Sequence, residues 1–304
     1  MSRGEPGVVA AGAQLVWRRQ RVLWWMYGIN LLLALPAALR ASMSFGGVLN
    51  NSLAGERLVK SFDLTAFIEL LAQPEVSPAQ LFMGSVVFSF LFFVFFLFAT
   101  GGLLEVYRRD QTLGAGEFFA ACGAFFWRFV RLLLFLLLAL VPVGILVALL
   151  NRISGRLASD SPREMLGFWV EVGGALLLWV LLAAIRLWFD LAQVRAVAEG
   201  ERAMRRTVWR ALKLTAANFG SLFWLYLRIS LVAWAGLALA GWVWVKFVPA
   251  ESVGLSFLLG QAVVLLWLGT RLWQRASETL WYQRRFPLAP PAAGPAAPAS
   301  APPA

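Results

Sequence analysis

Six long apolar runs dominate the sequence and leave few folds open to it. They cover residues 22–42, 79–104, 132–151, 166–189, 221–245 and 253–274. A helix needs about 20 mostly apolar residues to cross the hydrocarbon core of a bilayer, and every run reaches that length. A soluble fold could not cover six such segments with so few polar residues, and a membrane barrel would show short alternating segments instead. The sequence therefore predicts an all-α, polytopic membrane protein with six transmembrane helices.

A pattern that occurs three times groups these runs into pairs. Each copy has a basic stretch with the motif W-R-x-x-[R/K], an apolar run, a P-x-[Q/E] turn and a second apolar run. The basic stretches begin at Trp17, Trp127 and Trp209, and the turns begin at Pro78, Pro162 and Pro249. The triplet Arg186-Leu187-Trp188 also recurs in the next copy as Arg271-Leu272-Trp273.

The two triplets are 85 residues apart, a spacing that we call the repeat offset. It indicates how the chain is organised. A period of about 85 residues that contains two spans is typical of repeated membrane hairpins. We therefore predict three pseudo-repeated hairpins within one membrane domain over residues 13–286, with repeats at about 13–110, 111–195 and 196–286.

The ends of the chain and its basic stretches differ from the spans. Residues 1–12 are small and polar, and residues 287–304 are rich in Pro and Ala, so we expect both ends to be disordered. Residues 115–131 and 192–217 mix basic and apolar side chains at helical spacing. These two stretches are predicted to be cytoplasmic amphipathic helices that contact anionic lipid headgroups.

The net charge of +11 is distributed along the chain in a way that argues against nucleic-acid binding. Apart from one arginine inside a run, 19 basic residues lie on one side of the predicted spans and seven on the other. The positive-inside rule places the richer side in the cytoplasm. We therefore expect a bacterial inner-membrane protein with both termini in the cytoplasm, whose surroundings are the lipid bilayer and its anionic headgroups.

The rarity of histidine and cysteine limits the chemistry that this chain could perform. It has no histidine and one cysteine, Cys122, so an internal disulfide and a Cys/His metal site are excluded. Catalysis by a serine–histidine or cysteine–histidine pair is excluded as well. We expect no cofactor, no metal and no catalytic residue, and we interpret Cys122 as a small packing residue.

Ionisable residues inside a membrane span are costly and are therefore the candidate functional residues. Arg228 lies about two turns inside the fifth run, and Glu171 lies about two turns inside the fourth. Another group lies near the ends of runs at related repeat positions: Arg186, Arg271, Glu105 and Asp190.

These residues permit two interpretations. In the first, Arg228, Arg186 and Arg271 line a cytoplasmic-facing cavity for an anion, and Glu105 and Asp190 balance their charge. In the second, Arg186 pairs with Asp190 along one helix while Arg228 reaches lipid headgroups. Because a lipid-facing arginine at this depth costs up to about 3 kcal/mol, we expect Arg228 to face the bundle interior.

The hairpins, their basic links and the segment 51–64 resemble those of an uncharacterised group of bacterial six-span membrane proteins. In outline the chain is also similar to the membrane-domain family that is fused to glycerophosphodiester phosphodiesterases. Both resemblances imply a six-helix membrane fold. Neither implies a catalytic activity, because no phosphodiesterase domain is present and no active-site residue can be transferred.

Three functional hypotheses follow from the sequence. The first is a non-enzymatic scaffold or accessory subunit of the membrane. The second is a transporter or lipid-handling protein that binds an anionic amphiphile through the arginine-lined cavity. The third, an intramembrane enzyme, would need water-accessible carboxylates that face each other, which only Glu105 and Asp190 could provide.

Overall fold

The computed structural model describes residues 7–49, 64–72, 78–160, 165–201, 203–249 and 252–287. Its regular secondary structure, within these ranges, is entirely helical. The helices are α1 (Val8–Arg18), α2 (Arg21–Leu49), α3 (Leu64–Ala72), α4 (Pro78–Arg109), α5 (Ala115–Asp160), α6 (Met165–Glu199), α7 (Met204–Ala217), α8 (Phe219–Phe247) and α9 (Val253–Arg285).

Six of these helices, α2, α4, α5, α6, α8 and α9, are long and apolar enough to cross a membrane. Each predicted apolar run falls within one of them, so the prediction of an all-α fold with six candidate spans is confirmed. The helices extend beyond the runs at several ends. The longest, α5, has 46 residues. Because an α-helix rises by about 1.5 Å per residue, α5 is longer than a bilayer is thick.

Three helices, α4, α6 and α9, pack against one another at the centre of the bundle, and the other long helices pack around them. Their buried residues concentrate at one end, within 97–107, 183–197 and 268–282. We call this end the packed end. Toward the opposite ends of the helices, large apolar side chains such as Leu138, Leu176 and Leu258 are exposed. The helices therefore make their closest contacts at the packed end.

Small residues allow α4 and α5 to approach closely at the packed end. A Cβ atom on Gly102 would lie 2.7 Å from the sulfur of Cys122, and one on Gly101 would lie 3.1 Å from the carbonyl oxygen of Ala121. Cys122 itself is fully buried there. Its environment is that of a small packing residue at a helix contact, as the sequence predicts.

The expectation of disorder over residues 1–12 is wrong for residues 8–12, which form the beginning of α1. This helix packs along the packed end of α9. Leu15 is buried in the contact, Gly12 lies against Ser277, and the indole of Trp273 donates a hydrogen bond of 2.7 Å to the Val9 carbonyl oxygen. Residues 1–6 and 288–304 lie outside the described residues.

The two basic stretches form helices whose boundaries differ from the prediction. Residues 115–131 are the beginning of α5 and continue into the third span without a break. Residues 192–217 are divided at Gly200, which adopts a positive φ of 63° between the end of α6 and the start of α7. Glycine tolerates this left-handed conformation because it has no Cβ. The α7 helix then buries one face, formed by Met204, Thr207, Ala211 and Thr215.

Candidate functional site

The centre of the packed end holds an ion pair between Asp190 of α6 and Arg275 of α9. Their charged atoms are 2.9 Å apart, and the side chains are 1% and 3% exposed. Arg186 approaches the same carboxylate at 3.8 Å from one helical turn earlier in α6. Both arginines therefore share one buried acid, and the pair joins two of the three central helices.

Amide and carboxyl side chains extend this ion pair into a connected network. Arg275 also donates to the amide oxygen of Gln193. On the other side, Arg186 donates to Gln274 at 3.0 Å, and Gln274 donates to Glu278 at 2.9 Å. We call the six residues of this network the polar cluster: Arg186, Asp190, Gln193, Gln274, Arg275 and Glu278.

Several atoms of the polar cluster are buried without a hydrogen-bond partner of suitable geometry. They are both carboxylate oxygens of Asp190, one oxygen of Glu278, and the Nε atoms of Arg186 and Arg275. The Asp190–Arg275 contact is thus a close ion pair whose angles do not satisfy a hydrogen bond. Buried polar groups are normally paired because an unpaired one costs about 1–3 kcal/mol. The polar cluster therefore retains capacity to bind further polar groups.

Two clefts reach the polar cluster, and Arg186 and Arg271 line both of them. The first, which we call the α4–α6 cleft, has a volume of about 270 Å³ and apolar walls from α4, α5 and α6. The second, the α8–α9 cleft, has a volume of about 380 Å³ and includes Tyr226 and Thr270. Small-molecule sites commonly hold about 300–1,000 Å³, so the α4–α6 cleft lies just below that range and the α8–α9 cleft lies near its lower end.

Arg271 differs from the other arginines at this site because no described residue pairs with its guanidinium. Arg186 contacts Asp190 and Gln274 and lies 5.3 Å from the ring centre of Tyr226. Arg275 is held by Asp190 and Gln193. Among the described residues, no hydrogen bond or ion pair engages the guanidinium of Arg271, which is partly exposed to the clefts.

Arg228 does not join this site, so the expectation that it faces the bundle interior is wrong. Its guanidinium lies 5.0 Å from the ring centre of Trp224, which is itself 52% exposed. The buried face of α8 is formed by Leu222, Leu225 and Ile229, and Arg228 lies outside it. Helical side chains point toward the N-terminus of their helix, and the N-terminus of α8 lies at the packed end. The side chain of Arg228 therefore points toward the packed end.

The two other predicted acids also lie apart from the arginine clefts. Glu105 is buried, but it pairs with Arg108 and Arg109 of its own helix, each at 2.6 Å. The expectation that it balances Arg186 and Arg271 is therefore wrong, because nearer arginines neutralise it. Glu171 is exposed on α6, far along the helix from Asp190.

The sequence reasoning missed Gln193, Gln274, Arg275 and Glu278, which complete the polar cluster. Two of these residues, Arg275 and Glu278, could have been identified from the repeat offset. They lie one repeat offset after Asp190 and Gln193, just as Arg271 lies one repeat offset after Arg186. The sixth apolar run ends at residue 274, so Arg275 and Glu278 lie beyond it in the sequence and resemble ordinary residues that follow a span.

Comparisons with protein families, curated proteins and solved structures give no significant match to this chain. The resemblance to the uncharacterised six-span group and to the membrane domains of phosphodiesterase fusions therefore stays a prediction. Function has to be argued from the geometry and chemistry of the site itself.

Proposed function

We propose that this chain is a lipid-handling membrane protein that binds an anionic amphiphile in the arginine-lined clefts. The observation that supports the proposal is the position of Arg271, an arginine with no partner within the described structure, beside Arg186 at the meeting point of two clefts. An acidic headgroup bound there would contact two guanidinium groups at once.

The charge balance of the site supports an anion as the ligand. Arg186, Arg271 and Arg275 provide three positive charges, whereas Asp190 and Glu278 provide at most two negative charges. A net positive charge that includes the unengaged guanidinium of Arg271 attracts an acidic group. Phosphate or carboxylate is favoured because the planar guanidinium can donate two parallel hydrogen bonds to either group.

The walls of the α4–α6 cleft support a ligand with a hydrocarbon part. They are formed by phenylalanine and leucine side chains of three candidate spans, including Phe93, Phe96, Leu136 and Leu182. A small soluble anion would gain nothing from these walls, whereas an acyl chain would bury apolar surface against them. The combination of an arginine pair and an apolar cleft is therefore best suited to an anionic amphiphile.

The other two functional hypotheses receive less support from the geometry. A pure scaffold would be expected to have tightly packed spans, yet two clefts lie beside the polar cluster. An intramembrane hydrolase would need opposed acids, but Glu105 and Asp190 each pair with separate arginines. We retain the scaffold role as the alternative if no amphiphile binds.

The location that we propose is the inner membrane of a bacterium, with the packed end in the cytoplasm. The positive-inside rule supports this orientation, because 19 basic residues belong to the predicted cytoplasmic side. We further propose that the three hairpins are structural repeats, which is supported by the repeat offset in the sequence. The arginine clefts would then open from the cytoplasmic half of the bilayer.

Native mass spectrometry of the purified protein in a neutral detergent tests the proposed function. The probe is palmitoyl-oleoyl phosphatidic acid, and phosphatidylcholine with the same chains is the comparison lipid. Arg271→Gln should weaken the binding of phosphatidic acid to the clefts about 10–100-fold, because a hydrogen bond to a charged group contributes about 1.5–3 kcal/mol. Phosphatidylcholine binding should change little.

Arg228→Gln is the matched control, since it removes an arginine of the same helical bundle that lies outside the buried face of α8. This variant should retain the affinity of the unaltered protein for the clefts. Equal binding of phosphatidic acid to the unaltered protein and to Arg271→Gln would contradict the proposal and favour the scaffold role.

A further inference from the structure

A second site of positive charge and apolar walls lies on the packed end, separate from the arginine clefts. It is a groove between the α1–α2 junction, α4 and the beginning of α5, with a volume of about 100 Å³. We call it the N-terminal groove. Its lining shares no residue with either arginine cleft, so a ligand bound here is independent of the proposed function.

Three arginines from the α1–α2 junction line the groove: Arg18, Arg19 and Arg21. Asp110, which follows the last residue of α4, pairs with two of them, at 3.1 Å from Arg18 and 3.2 Å from Arg19. Arg19 also donates to the backbone carbonyl of Asp110. Arg21 is exposed, and within the described part of the chain it has neither an ion pair nor a hydrogen bond.

The charges around the groove therefore do not cancel. Three guanidinium groups face one carboxylate, which leaves an excess of two positive charges. Asp110 holds Arg19 in place through both its side chain and its backbone, and the side chain of Arg19 is only 20% exposed. Arg18, whose side chain is 60% exposed, and Arg21 remain able to contact a further anion.

Below these arginines, the walls of the groove are apolar side chains of candidate membrane spans. They come from α2, α4 and the start of α5: Trp25, Met26, Ile29, Phe95, Phe118 and Phe119. Trp25 is 54% exposed, as is typical of tryptophan at the boundary between headgroups and hydrocarbon. The order of features, arginines above and hydrocarbon-like walls below, matches the order of headgroup and acyl chain in a phospholipid.

We infer that the N-terminal groove, whose volume of about 100 Å³ can enclose only part of a lipid, binds an anionic phospholipid of the leaflet at the packed end, and that this lipid holds α1 and α2 against α4 and α5. The excess positive charge selects an acidic headgroup over a zwitterionic one. The apolar walls select a lipid over a soluble anion, because inorganic phosphate would leave Trp25, Ile29 and Phe95 without a contact.

The test is native mass spectrometry of the full chain with palmitoyl-oleoyl phosphatidylglycerol and with phosphatidylcholine of the same chains. The double variant Arg18→Gln/Arg21→Gln should bind phosphatidylglycerol at least about tenfold more weakly than the unaltered protein. Ile29→Trp fills the apolar part of the groove without changing a charge, and it should weaken the same binding. Phosphatidylcholine binding should be unaffected by the double variant.

Two controls separate this site from others. Arg152→Gln removes an exposed arginine from the far end of α5, and it should leave phosphatidylglycerol binding unchanged. Arg271→Gln should remove lipid from the clefts while the groove lipid is retained. Combining it with the double variant should therefore remove more bound anionic lipid than either does alone.

Three results would overturn the inference. The first is phosphatidylglycerol binding that the double variant does not weaken, with folding confirmed by an unchanged elution volume. The second is a complete loss of bound phosphatidylglycerol in Arg271→Gln alone, with no further loss when the double variant is added, which would assign all bound lipid to the clefts. The third is displacement of phosphatidylglycerol by inorganic phosphate at constant ionic strength, which would show a soluble anion as the ligand.

Discussion

Asp190 and Arg275 depend on each other, since each is almost fully buried and they form a close ion pair. Asp190→Asn keeps the shape of the side chain but leaves Arg275 as a buried charge without this counter-ion. Removing one partner of a buried pair costs about 3–5 kcal/mol. We therefore expect a clear decrease in the thermal unfolding midpoint, followed by tryptophan fluorescence in detergent.

Glu171→Gln is the control for this substitution, because Glu171 is exposed on the same helix. It should change stability by less than about 0.5 kcal/mol. Combining Asp190→Asn with Arg275→Gln should recover much of the loss, since the uncompensated charge is then gone. An unfolding midpoint unaffected by Asp190→Asn would show that the ion pair does not hold α6 to α9.

At the level of single residues, the sequence predicted part of the site. It selected Arg186, Asp190 and Arg271, which the fold brings to the same place, because they lie within or beside the apolar runs at related repeat positions and a charge inside a span is costly. It misplaced Arg228, because depth in a span does not say which face of the helix a residue occupies. The burial of Leu225 and Ile229 decides that face, and it depends on packing between helices that are distant in sequence.

The contact between α1 and α9 depends on the absence of a side chain at Gly12. A Cβ atom there would lie 3.0 Å from the Cα atom of Ser277, and backbone cannot move aside as a flexible side chain can. Gly12→Ala should therefore push α1 away from α9 and destabilise the packed end by about 1–3 kcal/mol. Faster tryptic cleavage after Arg18 and a lower unfolding midpoint would report this change.

Gly28→Ala provides the comparison, since a Cβ atom at Gly28 would meet nothing within 4 Å. Alanine is a better helix former than glycine by up to about 1 kcal/mol, so this variant should be neutral or stabilising. If Gly12→Ala behaves in the same way, α1 does not pack on α9 as closely as the structure indicates.

At the level of elements, the six spans were predictable because each carries its own signal of about 20 apolar residues. The start of α4 at Pro78 was predictable for a similar local reason, since proline is favoured at the first helical position. The helix α9 instead begins at Val253, where Ser252 accepts a hydrogen bond from the Leu255 amide. The helical conformation of residues 8–12 was not predictable from composition, because it depends on tertiary packing against α9.

The central position of α4, α6 and α9 is a property of the whole molecule. Residues that are one repeat offset apart in sequence lie on these three helices. One repeat offset separates Glu105 from Asp190 and another separates Asp190 from Arg275, and the three residues lie on these three helices. All three are buried and ion-paired. The repeat model predicts this equivalence, although the third copy carries an arginine where the first two carry acids.

The orientation of the molecule in the membrane is the remaining prediction at this scale. Because α4, α6 and α9 end at the packed end and α5 begins there, the links near residues 112 and 205 belong to the same side. The positive-inside rule predicts that this side is cytoplasmic. Reporter fusions after residues 112 and 205 should give cytoplasmic signals, and fusions after residues 155 and 249 should give external ones. A cytoplasmic signal after residue 155 would contradict this orientation. It would place the N-terminal groove in the outer leaflet. Arg18 and Arg21 would then lose the attraction of the anionic lipids of the cytoplasmic leaflet.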